Sequence, residues 1–509
     1  MKVIKKNIDL SIIVPIYNEE QLVEDNISKI LNVFFKKDLV FEIIIIDDGS
    51  DDGTYIICKE LEKQFDCIQI FSHSINKGYS KAVKTGIMHS RGNYISYLDV
   101  DLQYDPKDLF LFYTIAKQTK YYMITGKTNK SEYNYFRRLV SFSHNVFIRT
   151  LFPKIFHSDI NSMKLFKKSI LDDLIIHDYM ETIGLQLLLA ASQYNPSILT
   201  VPIDVIKRQK GKSKFKFTLL KHGILNSIKI RLNYKFPEKK KTKILLTFDL
   251  EEWRLPEHYN NISEQNGNSL FSYEGASLIL EILEKYNIVC TFFTTGYFAK
   301  KHPDLVQKII NLGHEIASHS YYDKSLSLHK NKYSLSQNIE KSIEILEKLV
   351  KDKIFGFRAP QFSKNKYLFD VLQNNNLVYD SSIHPAFLPG KYIDFKSPLQ
   401  PYIIRKDNKY ILEIPCSVIP SLRLPISWWW MRNIGLWVTI FGTKKNLKRA
   451  HNVVIYLHPW EFVNIKDDSV PLHITKNTGV TMCNRLEKYV REFSEKGYEF
   501  TSIKELYIK

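Results

Sequence analysis

One pattern constrains the fold of this chain more than any other: short apolar runs alternate with helix-like stretches, and the alternation begins twice. The first series has apolar runs at residues 11–16, 42–46, 68–71 and 94–98. The second has a strand-like run at 244–248, a helical stretch near 275–286, a run at 288–294 and a helical stretch at 303–312. Such alternation predicts a parallel, doubly wound α/β sheet with ligands at the carboxyl ends of its strands. We therefore expect two α/β units.

A polar, basic stretch separates the two series. Residues 233–243 read NYKFPEKKKTK, and Ile244 then opens a new apolar run. With 509 residues, the chain is also too long for one hydrophobic core. We predict a first domain at 1–232, a basic linker at 233–243 and a second domain at 244–509.

Each series carries an acidic cluster directly after an apolar strand. The clusters are Asp99-Val100-Asp101 and Asp249-Leu250-Glu251. Carboxylates one residue apart repel each other unless a cation, a proton or a basic group compensates. Two such clusters predict two active sites with different chemistries.

The net charge of the chain indicates the kind of partner it binds, and its cysteine content indicates the cellular compartment. The formal net charge of +18 favours an anionic partner, either a membrane leaflet or a phosphorylated substrate. No nucleic-acid-binding motif accompanies the charge, so we expect no nucleic acid partner. Five scattered cysteines favour a reducing compartment. With no secretory signal and no apolar run of about 20 residues, we expect a cytoplasmic protein, peripheral on the inner face of the cell membrane.

The stretch 424–442 comes nearest to an apolar run long enough to span a membrane, and it contains Trp428, Trp429 and Trp430. An arginine, Arg432, lies in its middle. Three readings stay open: packed core, a sugar-stacking cleft, or an interfacial membrane anchor.

Polar residues follow three of the first four strands of the N-terminal series. They are Pro15 to Glu19 after the first strand, Asp47 to Thr54 after the second and Asp99 to Gln103 after the fourth. A nucleotide-sugar site needs acceptors for base and ribose, a task that suits Asp48 or Asp52. It also needs a cation on the diphosphate, a task that suits the Asp99/Asp101 pair. An isolated Asp-x-Asp could equally be a pair of carboxylates that cap loop ends.

The ordered set resembles the inverting family 2 glycosyltransferases of GT-A fold, and most of all the polyprenyl-phosphate sugar transferases of the dolichol-phosphate mannosyltransferase type. The resemblance covers roughly residues 9 to 220. It is carried by the phrases LDVDLQYDP at 98–106, DINSMKLF at 159–166, Glu181, VPI at 201–203 and RQKGKSK at 208–214.

The resemblance implies a GT-A, Rossmann-like domain that binds a UDP- or GDP-linked sugar and transfers it to polyprenyl phosphate or another glycan acceptor. The implied donor-binding residues are Pro15, Tyr17, Glu19, Asp48, Asp52, Lys77, Gly78 and Asp99. Asp99, Asp101 and Gln103 would hold Mg²⁺ or Mn²⁺. Arg208, Ser213 and Lys214 would bind phosphate, and Arg137 and Arg138 are further phosphate candidates or a solvated basic face.

The stretch 215–230, FKFTLLKHGILNSIKI, reads as a basic amphipathic helix. Such a helix can lie on a membrane surface or pack on the catalytic domain. Both readings stay open.

The C-terminal series contains five polar motifs in order. They are TFDLEEW at 247–253, GHEIASH at 313–319, GFRAP at 356–360, YDSS at 379–382 and LHPWE at 457–461. Hydrolysis of an amide at neutral pH needs a metal ion that activates water, a base and an acid. Asp249 fits the base, His458 the acid and Glu251 and His319 the metal ligands, while Arg358 could hold the base carboxylate.

This set resembles the polysaccharide deacetylases with the NodB homology domain, a distorted (β/α) barrel, over roughly residues 243 to 505. One departure concerns the metal site: the family has His-x-x-x-His, whereas this chain has His319 followed at that spacing by Asp323. Asp323 is a competent oxygen ligand for Zn²⁺ or another divalent ion. Otherwise the metal is weakened or lost; His329 is a remote substitute.

Together the resemblances imply a bifunctional enzyme: an N-acylated amino sugar is moved from a nucleotide to polyprenyl phosphate, and its acyl group is then hydrolysed. Two alternatives stay open. The enzyme could act on a polysaccharide or cell-envelope glycan, or the second domain could be a non-catalytic carbohydrate-binding module.

Overall fold

The structure is a computed structural model. It describes residues 7–128, 146–148, 150–152, 159–160, 162–172, 174, 176–179, 182–206, 217–233, 242–256, 269–388 and 392–509. The chain divides into two compact units, Met1–Lys240 and Lys241–Lys509.

Seven strands and six helices are described in the N-terminal unit. The strands are β1 (Leu10–Ile16), β2 (Phe41–Asp47), β3 (Ile68–Ser72), β4 (Tyr94–Tyr97), β5 (Met123–Thr128), β6 (Lys164–Lys167) and β7 (Ile198–Ile203). The helices are α1 (Val23–Phe34), α2 (Thr54–Gln64), α3 (Tyr79–His89), α4 (Pro106–Gln118), α5 (Ile183–Ala191) and α6 (Phe217–Asn233).

The strands form one sheet in the order β3-β2-β1-β4-β6-β5-β7. All seven residues of β1 are buried because parallel neighbours flank it and helices cover the sheet. Helix α4 begins where Asp105 accepts a hydrogen bond from the Lys107 amide and Pro106 occupies the first turn. The acidic cluster at 99–101 lies in the connection between β4 and α4.

The predicted α/β class is confirmed for this unit, and the four strands from which it was predicted pair in parallel. Strand β6 runs antiparallel to both of its neighbours, β4 and β5. The parallel expectation rested on strands alternating with helices, and that alternation was identified only through the fourth strand. Mixed sheets with an antiparallel strand are common in α/β folds.

The C-terminal unit has a larger sheet. Its strands are β8 (Lys243–Leu250), β9 (Thr291–Thr294), β10 (Glu315–Ser318), β11 (Gly356–Phe357), β12 (Tyr379–Asp380), β13 (Phe387–Leu388), β14 (Tyr392–Ile393), β15 (Tyr402–Lys406), β16 (Lys409–Glu413), β17 (Val418–Ile419), β18 (Leu424–Pro425), β19 (Val453–Leu457) and β20 (Glu499–Phe500). Its helices are α7 (Leu270–Lys285), α8 (Gly296–Lys301), α9 (Pro303–Asn311), α10 (Lys332–Val350), α11 (Leu368–Asn374), α12 (Trp428–Asn433), α13 (Leu436–Lys448), α14 (Leu472–Thr475), α15 (Val480–Glu495) and α16 (Ile503–Tyr507).

The sheet of this unit has the path β15-β16-β12-β11-β10-β9-β8-β19, with β20 also paired to β8. Along this path, every neighbouring pair from β16 to β19 is parallel. The edge strand β15 pairs antiparallel with β16. This is the distorted (β/α) barrel that the sequence predicts. The carboxyl ends of β8, β10 and β19 lead directly into the motifs at 249–251, 319 and 458.

Candidate active sites

In the N-terminal unit, the carboxyl ends of three adjacent strands bring the predicted donor-binding loops together. Strand β1 pairs with β2 through Ile16 and Asp47 and with β4 through Ile13 and Tyr97. Pro15 is buried in β1, whereas Tyr17, Glu19, Asp52 and Asp99 are half-buried at this edge. The sheet therefore forms a polar edge of the kind that binds nucleotides.

Two of these loops are tied by reciprocal hydrogen bonds. The Asn18 amide side chain donates to Asp51 (2.7 Å), and the Asp51 backbone donates back to it (3.0 Å). The Glu19 amide donates to Thr54 Oγ1 (2.9 Å), and Asp52 accepts from the Thr54 amide (3.0 Å). These contacts hold the edge in place without a ligand.

Asp48 is buried and organises the loop that contains Lys77 and Gly78. Its carboxylate accepts from the Lys77 amide (3.0 Å) and the Gly78 amide (2.7 Å), and it lies 2.7 Å from Nδ1 of His73. Gly78 has φ of 93°, a conformation that glycine adopts without strain. Asp48 thus shapes the loop that contains Lys77 and Gly78, at the edge where the sequence predicts the donor site.

The acidic cluster presents oxygen ligands. Tyr79 donates to Oδ1 of Asp99 (2.8 Å), and the Gln103 side-chain amide donates to Oδ2 of Asp101 (2.8 Å). Leu102, between them, has φ of 47°, a strained conformation of the kind found at functional sites. Two carboxylates and an amide oxygen suit Mg²⁺, which is typically completed by substrate phosphates.

One residue that the sequence did not single out, Lys164, lies buried in β6. Its ammonium donates to the carbonyls of Ile160 (2.6 Å) and Ser162 (2.8 Å). Burial lowers its pKa to about 7, against the attraction of Asp159 and Asp99. A fully buried lysine near the acidic cluster was not predictable from its place in the run KLFK.

The other phosphate-binding predictions, Arg208, Ser213, Lys214, Arg137 and Arg138, lie outside the described residues, as does Glu181.

In the C-terminal unit, the proposed base Asp249 is paired with Arg358. Nη1 of Arg358 lies 2.7 Å from Oδ1 of Asp249 and also donates to Thr247 Oγ1 (2.9 Å). Nη2 donates to Ser381 Oγ (3.0 Å), and the guanidinium lies 4.0 Å from the Phe293 ring centre. Although burial opposes ionisation, the Arg358 charge holds the pKa of Asp249 below its usual value. The carboxylate is therefore ionised and held in one orientation.

The predicted metal ligands form a buried group. Glu251, His319 and Asp323 each offer one ligand atom, and these atoms lie within 4.8 Å of one another. His319 places Nε2 at 3.2 Å from Glu251 and Nδ1 at 2.8 Å from the Arg358 carbonyl, which orients the ring. It is the one such group among the residues that the structure describes.

The electrostatics of this group fit a divalent cation. Oδ1 of Asp323 is buried without a hydrogen-bond partner. Burial raises the pKa of Glu251 to about 8 and holds that of Asp323 well above its usual range. One nitrogen and two oxygen ligands suit Zn²⁺ or Mn²⁺, so Asp323 stands where a histidine was expected. His329 instead lies 2.7 Å from Ser334 Oγ.

The predicted acid, His458, faces both carboxylates. Its Nε2 lies 3.7 Å from Glu251 and 4.0 Å from Oδ2 of Asp249. Burial lowers its pKa, but contact with Glu461 and the carboxylate charges outweigh this and raise it above its usual value. The ring is thus biased toward the protonated form that an acid needs.

Glu461 is a residue whose role the sequence did not reveal. It is fully buried, with Oε2 at 3.8 Å from Nδ1 of His458 and Oε1 at 3.5 Å from Nη1 of Arg432. Oε2 also accepts from the His458 amide (3.0 Å). Glu461 therefore links the acid to a buried arginine on α12, and its position three residues after His458 was the available signal.

Aromatic rings enclose the acid. His458 stacks on Trp460 (5.1 Å between ring centres), and Trp428 packs edge-on to it (5.3 Å). Trp253 packs against Trp460 (4.8 Å). Of the three residues of the tryptophan run, Trp428 is buried against His458, whereas Trp429 and Trp430 are half-buried.

Three family models match the chain. Residues 11–175 match glycosyl transferase family 2, residues 237–379 match polysaccharide deacetylase, and residues 381–507 match a domain of unknown function, DUF3473. The chain joins a family 2 glycosyltransferase domain to a polysaccharide deacetylase domain. The resemblances drawn from the motifs are confirmed. His458, Glu461 and Trp428 of the deacetylase unit lie in the DUF3473 segment.

Two curated relatives match the glycosyltransferase part. A dodecaprenyl-phosphate galacturonate synthase of Rhizobium johnstonii is 27% identical over 33% of this chain and 50% of its own length. An undecaprenyl-phosphate 4-deoxy-4-formamido-L-arabinose transferase of Sodalis glossinidius is 24% identical over 42% of this chain and 64% of its own length. The match thus spans about half to two thirds of these relatives.

Solved structures match over about half of the chain. One is a protein from Mycobacterium smegmatis described as a putative polysaccharide deacetylase (20% identity, 50% of this chain and 86% of that one, TM-score 0.36). Another is the peptidoglycan deacetylase PdaC from Bacillus subtilis (15% identity, 52% of this chain and 90% of that one, TM-score 0.31).

Proposed function

We propose that this protein transfers an N-acylated amino sugar from a nucleotide donor to a polyprenyl phosphate and then removes the N-acyl group. The observation that carries the proposal is the complete acid, base and ligand set of the second unit, in a chain whose first unit is a glycosyltransferase domain. A transferase and an amide hydrolase in one chain have a common substrate if the transferred sugar is N-acylated.

The names of the curated relatives support the acceptor and the kind of sugar. Both names specify a polyprenyl phosphate, and one specifies a formamido sugar. A formamido group is an N-acyl group, the bond type that an amide hydrolase cleaves. Neither name identifies the sugar or the acyl group of this protein's substrate. The proposal therefore names the substrate only as an N-acylated sugar.

In the transferase reaction, a phosphate oxygen of the acceptor attacks the anomeric carbon, and the bond from that carbon to the nucleoside diphosphate breaks. The acceptor oxygen is already anionic, so it needs little help from a base. Asp99, Asp101 and Gln103 would hold Mg²⁺ or Mn²⁺, which neutralises charge on the leaving diphosphate.

In the hydrolase reaction, Glu251, His319 and Asp323 would hold Zn²⁺ or another divalent ion, which polarises the amide carbonyl and activates water. Asp249 accepts a proton from the attacking water at Oδ2, because Oδ1 is held by Arg358. His458 donates its Nε2 proton to the departing amine nitrogen, so that the C–N bond breaks to give a free amine and a carboxylic acid.

We also propose that the protein is peripheral on the cytoplasmic face of the membrane. Helix α6 exposes Leu225, Ile228 and Leu232 at helical spacing, while Ile230 is buried in the core. An exposed apolar face of this kind on a basic helix suits the interface of a bilayer. Within the described residues, no helix has the length and hydropathy needed to cross a membrane.

Incubation with UDP- or GDP-linked N-acetylhexosamines and undecaprenyl phosphate should yield a lipid-linked sugar with a free amine. Asp249→Asn should abolish acetate release but leave transfer near wild type, and Asp101→Ala should do the reverse. If no nucleotide sugar is turned over with any lipid phosphate, the transferase part of the proposal fails. Loss of both activities from either change in folded protein would contradict independent sites.

Metal analysis of the purified protein tests the second site separately. We expect Asp323→Asn to lower the bound divalent metal and Asp323→His to retain it. Unchanged metal content in Asp323→Asn would contradict its role as a ligand. If the protein as purified contains no metal, binds N-acylated sugars and releases no acetate even when divalent metal is added, the second unit is instead a carbohydrate-binding module.

A further inference from the structure

We propose that the corner between α12 and α13 of the deacetylase unit inserts into the interface of an anionic lipid bilayer. The corner exposes three large apolar side chains, Ile434 (46% exposed), Trp437 (65%) and Phe441 (43%), which we call the aromatic corner. The proposal rests on the proposed function, because it concerns how this unit reaches a lipid-linked substrate.

The orientation of α13 fixes which side chains face outward. Its opposite face is buried: Gly442 packs on Ile426, where an added Cβ would lie 2.6 Å from the isoleucine side chain. Asn446 on the same face donates to the Val418 carbonyl (2.9 Å). Trp437 and Phe441, four residues apart, therefore point outward together because the helix is anchored behind them.

The surroundings of the aromatic corner are basic. Residues 414–460 contain six Lys or Arg residues and no Asp or Glu, although the chain has 54 acidic residues. Lys445 and Lys448 are exposed on the next turns of α13, and the Lys445 ammonium lies 5.2 Å from the Phe441 ring centre. Apolar aromatic side chains flanked by lysines match the apolar interior and anionic headgroups of a bilayer interface.

Charge argues against a second copy of the chain as the occupant. A symmetric contact through this face would bring Lys445 and Lys448 close to the same residues of the other copy. The acidic residue Glu492, which lies beside α13, is already paired with Lys444 and Lys496 (both 2.7 Å). An anionic surface satisfies the same lysines.

The corner is also continuous with the active site. Helix α12 begins at Trp428, whose ring packs against His458, and it carries Arg432, whose guanidinium lies 3.5 Å from Glu461. Gly435 (φ 128°) then turns the chain into α13. Docking at the aromatic corner would thus hold the acid side of the cleft close to the headgroups, where a lipid-linked sugar lies.

The test uses the full chain and vesicles of phosphatidylcholine with or without phosphatidylglycerol, free of any polyprenol. Lys445→Gln/Lys448→Gln should weaken binding to the anionic vesicles roughly 25-fold, since each basic residue near such a surface is worth about fivefold. Lys300→Gln/Lys301→Gln, which alters two exposed lysines of α8, is the matched control and should leave binding unchanged.

Tryptophan quenching by brominated lipid locates the contact even if α6 also binds. All six tryptophans lie in the second unit, and Trp437 is the most exposed of those that the structure describes. Quenching should occur in the wild type and fall sharply in Trp437→Phe, which retains an apolar ring and should retain vesicle binding. Hydrolysis of a soluble N-acetylhexosamine should be unchanged in all variants.

Quenching that Trp437→Phe leaves unchanged, or binding that does not depend on phosphatidylglycerol or on the two lysines, would overturn the proposal. Binding of single-stranded DNA through these residues, without vesicle binding, would overturn it in favour of a nucleic acid. Because the vesicles contain no substrate, failure here leaves the proposed reactions untouched. Conversely, vesicle binding without hydrolysis of any N-acylated sugar would refute the function and not the docking surface.

Discussion

The pair of Asp249 and Arg358 gives the strongest quantitative prediction. Replacement of Arg358 by methionine, a side chain of similar length, leaves the buried Asp249 carboxylate without its closest counter-charge. The breaking of a buried ion pair costs about 3–5 kcal/mol. The carboxylate can escape part of this cost by taking up a proton, and that escape sets an upper limit on the electrostatic loss.

The limit follows from the pKa of an aspartate in the unfolded chain. To protonate a group of pKa about 3.9 at pH 7 costs about 4 kcal/mol, and at pH 5 it costs about 1.5 kcal/mol. In Arg358→Met the folded state holds a proton that the unfolded state has lost, so stability falls as the pH rises above about 4. The loss of stability should therefore grow with pH, up to about 1.5 kcal/mol at pH 5 and up to about 4 kcal/mol at pH 7.

Urea unfolding of metal-free protein, followed by tryptophan fluorescence, measures this loss in the correct unit, because all six tryptophans lie in the second half of the chain. Arg358→Met/Asp249→Asn is the matched control: without the Asp249 carboxylate, the difference in stability between this double variant and Asp249→Asn should not depend on pH in this range. A coupling of about 3 kcal/mol at pH 7 is expected from the double-mutant cycle. A loss in Arg358→Met that is below about 1 kcal/mol, or independent of pH, would refute the argument.

Three further changes test other parts of the structure. Lys164→Met removes an amine that is neutral above about pH 7 in the folded protein but still charged in the unfolded chain. The free energy of unfolding of the wild type should therefore rise relative to that of the variant by about 1.4 kcal/mol per pH unit from about pH 7 to 10. Hydrogen exchange in the N-terminal strands measures this difference. Glu461→Gln should lower the pKa of His458, and the basic limb of the hydrolysis pH profile should then move to lower pH with KM little changed. Gly275→Ala would place a Cβ 1.8 Å from the Pro459 carbonyl, and we expect a loss of about 1–3 kcal/mol in urea unfolding. A stability difference for Lys164→Met that does not change with pH would contradict the first argument. An unchanged pH profile in Glu461→Gln would contradict the second, and an unchanged unfolding midpoint in Gly275→Ala would contradict the third.

The parts of the fold that were predictable are those with a local signal. Apolar runs such as 42–46 are strands because both faces of a parallel sheet are covered. Strand β6 gave no such signal: the run KLFK is short and begins with Lys164, a residue type that is almost never fully buried. Its antiparallel direction depends on tertiary contacts with β4 and β5.

The candidate site of the second unit shows the same division. Asp249, Glu251, His319 and His458 were predicted because each follows a strand in a recognisable motif. The role of Glu461 depends on Arg432, which lies 29 residues earlier in the chain and meets it only in the folded unit. Spacing indicates neighbours on one element, but not partners from two elements.

The boundary between two family models passes through this site. The proposed base Asp249 and the proposed metal ligands Glu251, His319 and Asp323 belong to the segment matched as polysaccharide deacetylase, whereas His458 and Glu461 belong to the segment matched as DUF3473. Strand β19 of the second segment pairs in parallel with β8 of the first, with Leu457 opposite Phe248. The proposed base Asp249 therefore lies at the carboxyl end of β8, and the proposed acid His458 directly follows the adjacent strand β19. If the two segments act as one catalytic unit, a chain that ends at Asp380 should retain the proposed metal ligands but lack His458. We expect this shortened chain to release no acetate unless the second segment is added back.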